Sequence, residues 1–169
     1  LENCSLIGSI GSNLKLMNCR RPRIIGCRIA GGHYSVSLCG VVDGVFRNCL
    51  IEKCQGDGIK TGGTGMLVRG MLIENCVFQD NLRDGIDTTG GFNDSVVRNC
   101  TFRRMGKSAL DIKAHYETKT GRIEDLRPEN IDVCSTSRTF SRSGKRKTTG
   151  RTRRSNRPSS GSASAGRRS

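Results

Sequence analysis

Apolar residues along this chain recur at every second position in short stretches, and Gly, Asp and Asn interrupt them. Met71-Leu72-Ile73-Glu74-Asn75-Cys76-Val77-Phe78 and Ser95-Val96-Val97-Arg98-Asn99-Cys100-Thr101-Phe102 share one pattern. β-Branched and aromatic residues at alternate places predict short strands on either side of Asn-Cys, since a helix would repeat every 3.6 residues. A further strand begins about ten residues later, at Gly58-Ile59-Lys60-Thr61, Gly85-Ile86-Asp87-Thr88 and Ala109-Leu110-Asp111-Ile112. The dipeptide Asn-Cys recurs at Asn3, Asn48, Asn75 and Asn99, and Gly26-Cys27 and Asn130-Ile131 fill the same slot in degenerate form. Successive spacings are 23, 22, 27, 24 and 31 residues. Asn18-Cys19 falls outside this register and reads as a coincidence within a coil. Repeats of this length mean a solenoid, an array or a propeller. Leucine-rich repeats would need a Leu-x-x-Leu-x-Leu line in each unit, and it is absent.

Three short strands per repeat and no helical stretch describe an all-β, right-handed parallel β-helix. Residues 1 to about 133 resemble the pectin-lyase-like superfamily of that fold. The resemblance implies five to six coils, with Asn3, Asn48, Asn75, Asn99 and Asn130 forming an inward ladder at a tight turn that Gly26 interrupts. Coils stacked about 4.8 Å apart would let those amides hydrogen-bond along the axis, in a rod about 25–30 Å long. Superfamily members usually carry more coils and end caps, and this chain opens at Leu1. It therefore reads as a fragment of a longer helix.

Nine cysteines, an odd number, argue against a disulfide framework. Cys4, Cys27, Cys49, Cys76 and Cys100 share one slot, and alternation points them inward as small hydrophobes. No Cys-x-x-Cys pair suggests zinc. Cys19, Cys39, Cys54 and Cys134 take no place in this scheme.

Charge divides the chain. Residues 134–169 hold 11 of the 29 Lys and Arg and none of the 15 acids, so the net charge of +14 splits into +3 and +11. Ser, Thr, Gly and Arg dominate that tail, which predicts disorder after an ordered domain of residues 1–133. Such a tail can hold nucleic acid only non-specifically, by phosphate attraction, because it carries no stacking platform. The break falls in mid-repeat, so it also reads as a non-native continuation. No apolar run approaches the roughly 18 residues of a membrane span.

In the superfamily, substrate lies in a groove over the first strand of each coil. Aligning those strands gives an outward column of Lys15, Ser37, Lys60, Asp87 and Asp111. Asp87 and Asp111 on adjacent coils, with Lys60 beneath, form the candidate catalytic group. Lys60 would neutralise a uronate or act as a base. His115 joins them from the longest insertion, which also carries Tyr116 and Glu117. Lys15, Ser37, Asp84 and Tyr116 are the candidate substrate-binding residues, and no metal is assigned. Ca²⁺ needs six to eight oxygens, so two sure carboxylates, with Asp84 or Glu117 and waters, would hold it weakly. His33 and Tyr34 receive no role.

Asp84-Gly85-Ile86-Asp87 resembles the Asn-Thr-Asp-Gly-Ile-Asp segment of polygalacturonases. Those enzymes carry Gly-Asp-Asp one coil on, where this chain has Gly106-Lys107-Ser108, and no Ser-His-Gly or Arg-Ile-Lys follows. A working polygalacturonase is not expected. Two classes of function remain. One is a lyase, hydrolase, epimerase or binding protein of acidic polysaccharide, extracellular by resemblance. The other is a non-catalytic structural or adhesive rod.

Overall fold

A computed structural model describes residues 1–62 and 67–112 in full, and beyond them the backbone of four further strands. The first coil comprises β1 (Ser5–Ile7), β2 (Ser12–Met17) and β3 (Arg23–Ile25). The second comprises β4 (Arg28–Ala30), β5 (Tyr34–Cys39) and β6 (Val45–Arg47), and the third β7 (Leu50–Glu52), β8 (Ile59–Thr61) and β9 (Leu72–Glu74). The fourth holds β10 (Val77–Gln79), β11 (Ile86–Asp87) and β12 (Ser95–Arg98). Two strands, β13 (Thr101–Arg103) and β14 (Leu110–Ile112), open a fifth. The backbone strands β15 (Gly121–Glu124), β16 (Arg127–Glu129), β17 (Cys134–Ser135) and β18 (Phe140–Ser143) pair onward in the same order, past residue 133. Four complete coils, β1–β12, thus precede the partly described fifth.

Every third strand stacks in parallel on the one before, giving three six-stranded sheets, β2 to β17, β3 to β18 and β1 to β16. We call these the groove sheet, the middle sheet and the rear sheet. Alternation sends one column from each into the core: Val36, Ile59, Ile86 and Leu110; Ile24, Phe46, Ile73 and Val97; Ile29, Ile51, Phe78 and Phe102, all buried. Phe78 and Phe102 stack with centroids 4.7 Å apart and planes 8° from parallel. This packing explains the Asp-Gly-Ile slot. A Cβ on Gly85 would stand 2.5 Å from the Phe102 ring and 2.6 Å from the Ala109 carbonyl oxygen.

The Asn-Cys corner joins the middle and rear sheets, but the expected inward ladder is not there. Asn3, Asn48, Asn75 and Asn99 are exposed, at φ 52°, 55°, 54° and 51°. Their backbone is left-handed, which Asn tolerates better than most side chains and Gly tolerates best. Gly26, at φ 64°, therefore fills the slot rather than interrupting it. Asn130 lies outside the described residues. Asn18 is no coincidence either: at φ 51° it turns a separate corner, matched on the next coil by Gly40 at φ 63°.

The inward partners are the cysteines. Cys27, Cys49, Cys76 and Cys100 are buried, and Cys4 partly so. Each thiol donates back across its corner, as Cys49 to the Arg47 carbonyl and Cys76 to that of Glu74, both at 3.3 Å. Hydrogen bonding with Cys100, together with burial, pushes the Cys76 thiol up to about 12. Cys76 and burial likewise push Cys49 upward. No disulfide forms among the described residues. The Cys100 thiol, hydrogen-bonded with Cys76, is lowered despite its burial, and the column as a whole packs into the corner.

Candidate functional site

The groove sheet has the register the alternation predicts. Lys15 pairs with Ser37, Ser37 with Lys60, Lys60 with Asp87, and Asp87 with Asp111. One outward column therefore carries all five residues. Side-chain packing then separates them.

Asp87 does not stand on the solvent face as alternation suggests; it is 0% exposed. The coil beneath and its own turn cover it. Lys60 Nζ donates to Asp87 Oδ2 and, at 2.9 Å, to Thr89 Oγ1. Thr89 closes over the other oxygen, its N–H 3.1 Å and its hydroxyl 2.8 Å from Asp87 Oδ1. The carboxylate thus faces Lys60. Asp111, half-buried, follows one rung on. Lys15 is exposed and Ser37 half-buried on the two earliest coils. His115, Tyr116 and Glu117 lie outside the described residues.

A different carboxylate joins the group. Asp57, Asp84 and Asp87 are all buried and bring carboxylate oxygens within 4.8 Å of one another. Asp57 sits in the same Asp-Gly-Ile slot as Asp84, one coil earlier, and that repeated tripeptide was the signal available in the sequence. The turn locks both in place. Asp57 Oδ1 accepts the Asp84 N–H at 3.2 Å, and Asp84 Oδ1 accepts the Ser108 N–H at 2.9 Å. Arg83 Nε lies 3.7 Å from Asp57 Oδ1. Asp57 Oδ2 has no hydrogen bond and faces Lys60 Nζ at 3.6 Å.

Burial pushes the Asp84 carboxyl above its ordinary range, and the charges of Asp57, Asp111 and Asp87 add to the rise, against the Ser108 hydrogen bond. The environment thus opposes a charge on Asp84, while Lys60 donates to Asp87. For Ca²⁺ the fit is poor. The ammonium of Lys60 already lies against Asp57 and Asp87, where a hard cation would need their oxygens, so these residues are built around Lys60.

One cavity among the described residues lies apart, at the corner between the groove and middle sheets. It holds about 230 Å³ and is lined by Arg20, Val42, Asp43, Arg69, Gly70 and Asp94. None of the candidate residues reaches it.

No curated protein and no solved structure matches the chain significantly. The model of one family, the right-handed β-helix region, matches residues 1–125. With three parallel sheets, inward apolar columns and left-handed corners in register, the chain belongs to the right-handed β-helix family.

Proposed function

We propose that this domain binds acidic polysaccharide along the groove sheet, with the Lys60, Asp57, Asp84 and Asp87 group as the centre of the site. The supporting observation is the concentration of charge there. Three carboxylates, Lys60 and Arg83 meet on the outer side of a single sheet, and the half-buried Asp111 continues the column. Buried charge is costly unless it is paired or used, and such sites are where perturbed acids serve function. In this reading Lys60, its side chain 18% exposed, is the group that meets a uronate. Asp84 supplies the proton for any bond-breaking step.

A second reading has its own observation. Asp57 and Asp87 are covered completely, and their oxygens face partners within the fold. A non-catalytic rod that uses this network only to fasten neighbouring coils would look the same. The two readings part on incubation with pectate, alginate and a neutral xylan. Binding of a polyuronate that Lys60→Ala weakens at least tenfold supports the site. Unsaturated products would identify a lyase, and new reducing ends without them a hydrolase. Failure of every polyuronate to bind would leave the rod.

A further inference from the structure

Five described arginines are matched with acids. Ion pairs join Arg28 to Glu52, Arg47 and Arg98 to Glu74, Arg83 to Asp57 and Arg104 to Asp80. Arg20, Arg21, Arg23 and Arg69 make no ion pair and no side-chain hydrogen bond among the described residues, and all four are exposed. Three of them fall within residues 20–23, and the fourth shares with Arg20 the cavity between the groove and middle sheets. The unmatched guanidinium groups therefore gather at and beside one corner.

Backbone bridges from Arg20 to Val42 and from Val42 to Arg69 set the two arginines on one line along the axis, two rungs and hence about 9–10 Å apart. Val42, half-buried, lines the cavity between them. The next position turns the corner in left-handed backbone on four successive coils, at Arg21, Asp43, Gly70 and Asp94, with φ 54°, 58°, 65° and 52°. Turns of one kind keep the line straight, so Arg20 and Arg69 both border the cavity of about 230 Å³. Asp43 and Asp94 border it too, without pairing to either guanidinium. Asp43 Oδ1 is turned instead toward Gly70, where a Cβ would collide with it. With Arg21 and Arg23 included, four cations stand here against two acids.

We infer that this corner binds a doubly charged oxoanion, a phosphate or sulfate group, gripped over Val42 by Arg20 and Arg69 from opposite sides. A guanidinium holds its N–H donors in a planar fork that matches two oxygens of an oxoanion. Two forks call for four acceptor oxygens, which a tetrahedral group has and a carboxylate lacks. Each side chain has to span only half the separation, about 5 Å, well within its length. Neither arginine has an ion pair to give up, so the anion displaces no acid. Arg21 and Arg23, on the same coil as Arg20, add to the positive field that draws an anion in. The site stands apart from the Lys60 group, and the inference does not rest on the reading proposed for that group.

Arginine side-chain resonances test it site by site. The ¹⁵N-labelled full chain is titrated with inorganic sulfate, inorganic phosphate and acetate at constant ionic strength, following the Nε–Hε signals. Arg20→Lys and Arg69→Lys assign the two signals, and the 11 Lys and Arg of residues 134–169 add the same background to every variant. The expected result is that both signals move together on one isotherm with sulfate or phosphate, and far less with acetate. Whichever dianion binds more tightly names the group. Arg20→Ala and Arg69→Ala should each weaken binding about fivefold to twentyfold, the loss of one charge-assisted fork. Asp43→Asn should tighten it about twofold to threefold by removing a like charge from the cavity. Arg104→Ala, on another corner and paired with Asp80, should leave it unchanged. All the substituted side chains at the cavity are exposed, so the variants should fold, which the β-type far-ultraviolet dichroism checks. The inference is overturned if neither signal moves, if acetate binds as tightly as the dianions, or if Lys60→Ala abolishes binding while Arg20→Ala and Arg69→Ala do not.

Discussion

Asn75 turns the chain from β9 into β10 with φ at 54°, and its side chain is exposed. Left-handed backbone costs an ordinary L residue about 1–2 kcal/mol, which Gly avoids. Asn75→Gly should therefore keep stability within about 0.5 kcal/mol, whereas Asn75→Val should lose about 1–2 kcal/mol in urea denaturation. An inward hydrogen-bonded ladder would make both changes equally damaging. Asp84 offers the opposite lesson, because its environment opposes its charge. Its folded pKa lies above the unfolded value, so the stability it contributes is complete below the unfolded pKa and is lost as pH rises through the folded one. Asp84→Asn keeps an oxygen for the Ser108 N–H and cannot ionise. The variant should match the wild type at about pH 3 and exceed it at neutral pH, as measured by melting midpoint. A variant less stable than wild type at neutral pH would show that the Asp84 charge is needed by the fold.

Between strands, the outer face of the middle sheet is held by alternating charge. Arg47, Glu74 and Arg98 occupy one column on successive rungs, and Glu74 is clasped from both sides, by Arg98 Nη2 at 2.6 Å and Arg47 Nε at 2.5 Å. Burial alone would raise the Glu74 carboxyl, but hydrogen bonds and charges from Arg98 and Arg47 outweigh it and hold the carboxyl below the usual range. Glu52 is lowered in the same way, with burial opposed by Gln79 and Arg28. A depressed folded pKa stabilises above the unfolded value and ceases to do so as pH falls through the folded one. Glu74→Gln should therefore flatten the loss of stability from about pH 5 down to about pH 2. Glu74→Ala should cost about 1–2 kcal/mol at neutral pH, since the two arginines are left half-exposed and can turn to water. An unchanged acid limb in Glu74→Gln would assign acid sensitivity to other carboxylates. The strand register behind this ladder was legible in the sequence, because period-two alternation and the Asp-Gly-Ile turn fix which residues share a column. What alternation left open was how a column is covered. Asp87 lies outward in register yet is buried, because Lys60 and Thr89 come from other rungs and turns to close over it. The Asn column was equally visible, but recurrence alone does not separate an inward ladder from a left-handed corner. Asp57 was missed although its tripeptide repeats that of Asp84.

At the scale of the whole chain, each coil touches only its neighbours, so stability accumulates as a sum of stacking interfaces along one dimension. Removing an end rung should then cost one interface and leave the rest of the cooperative unit standing. The composition of residues 144–169, rich in Ser, Arg and Gly and without an aromatic residue, offers nothing to bury. Strands β17 and β18, by contrast, pair with β14 and β15 through Asp111 to Cys134 and Gly121 to Phe140. Truncation after Ser143 should accordingly leave the melting midpoint where it is, with the β-type far-ultraviolet dichroism intact. Truncation after Val133 strips the partner from two strands and exposes their edges. It should lower the midpoint by roughly 2–8 °C, the shift that a loss of about 1 kcal/mol gives in a domain of this size. If both truncations lowered it equally, the basic residues after 143 would be holding the end of the helix. If neither did, β17 and β18 would add nothing, and the stabilising stack would end with β16.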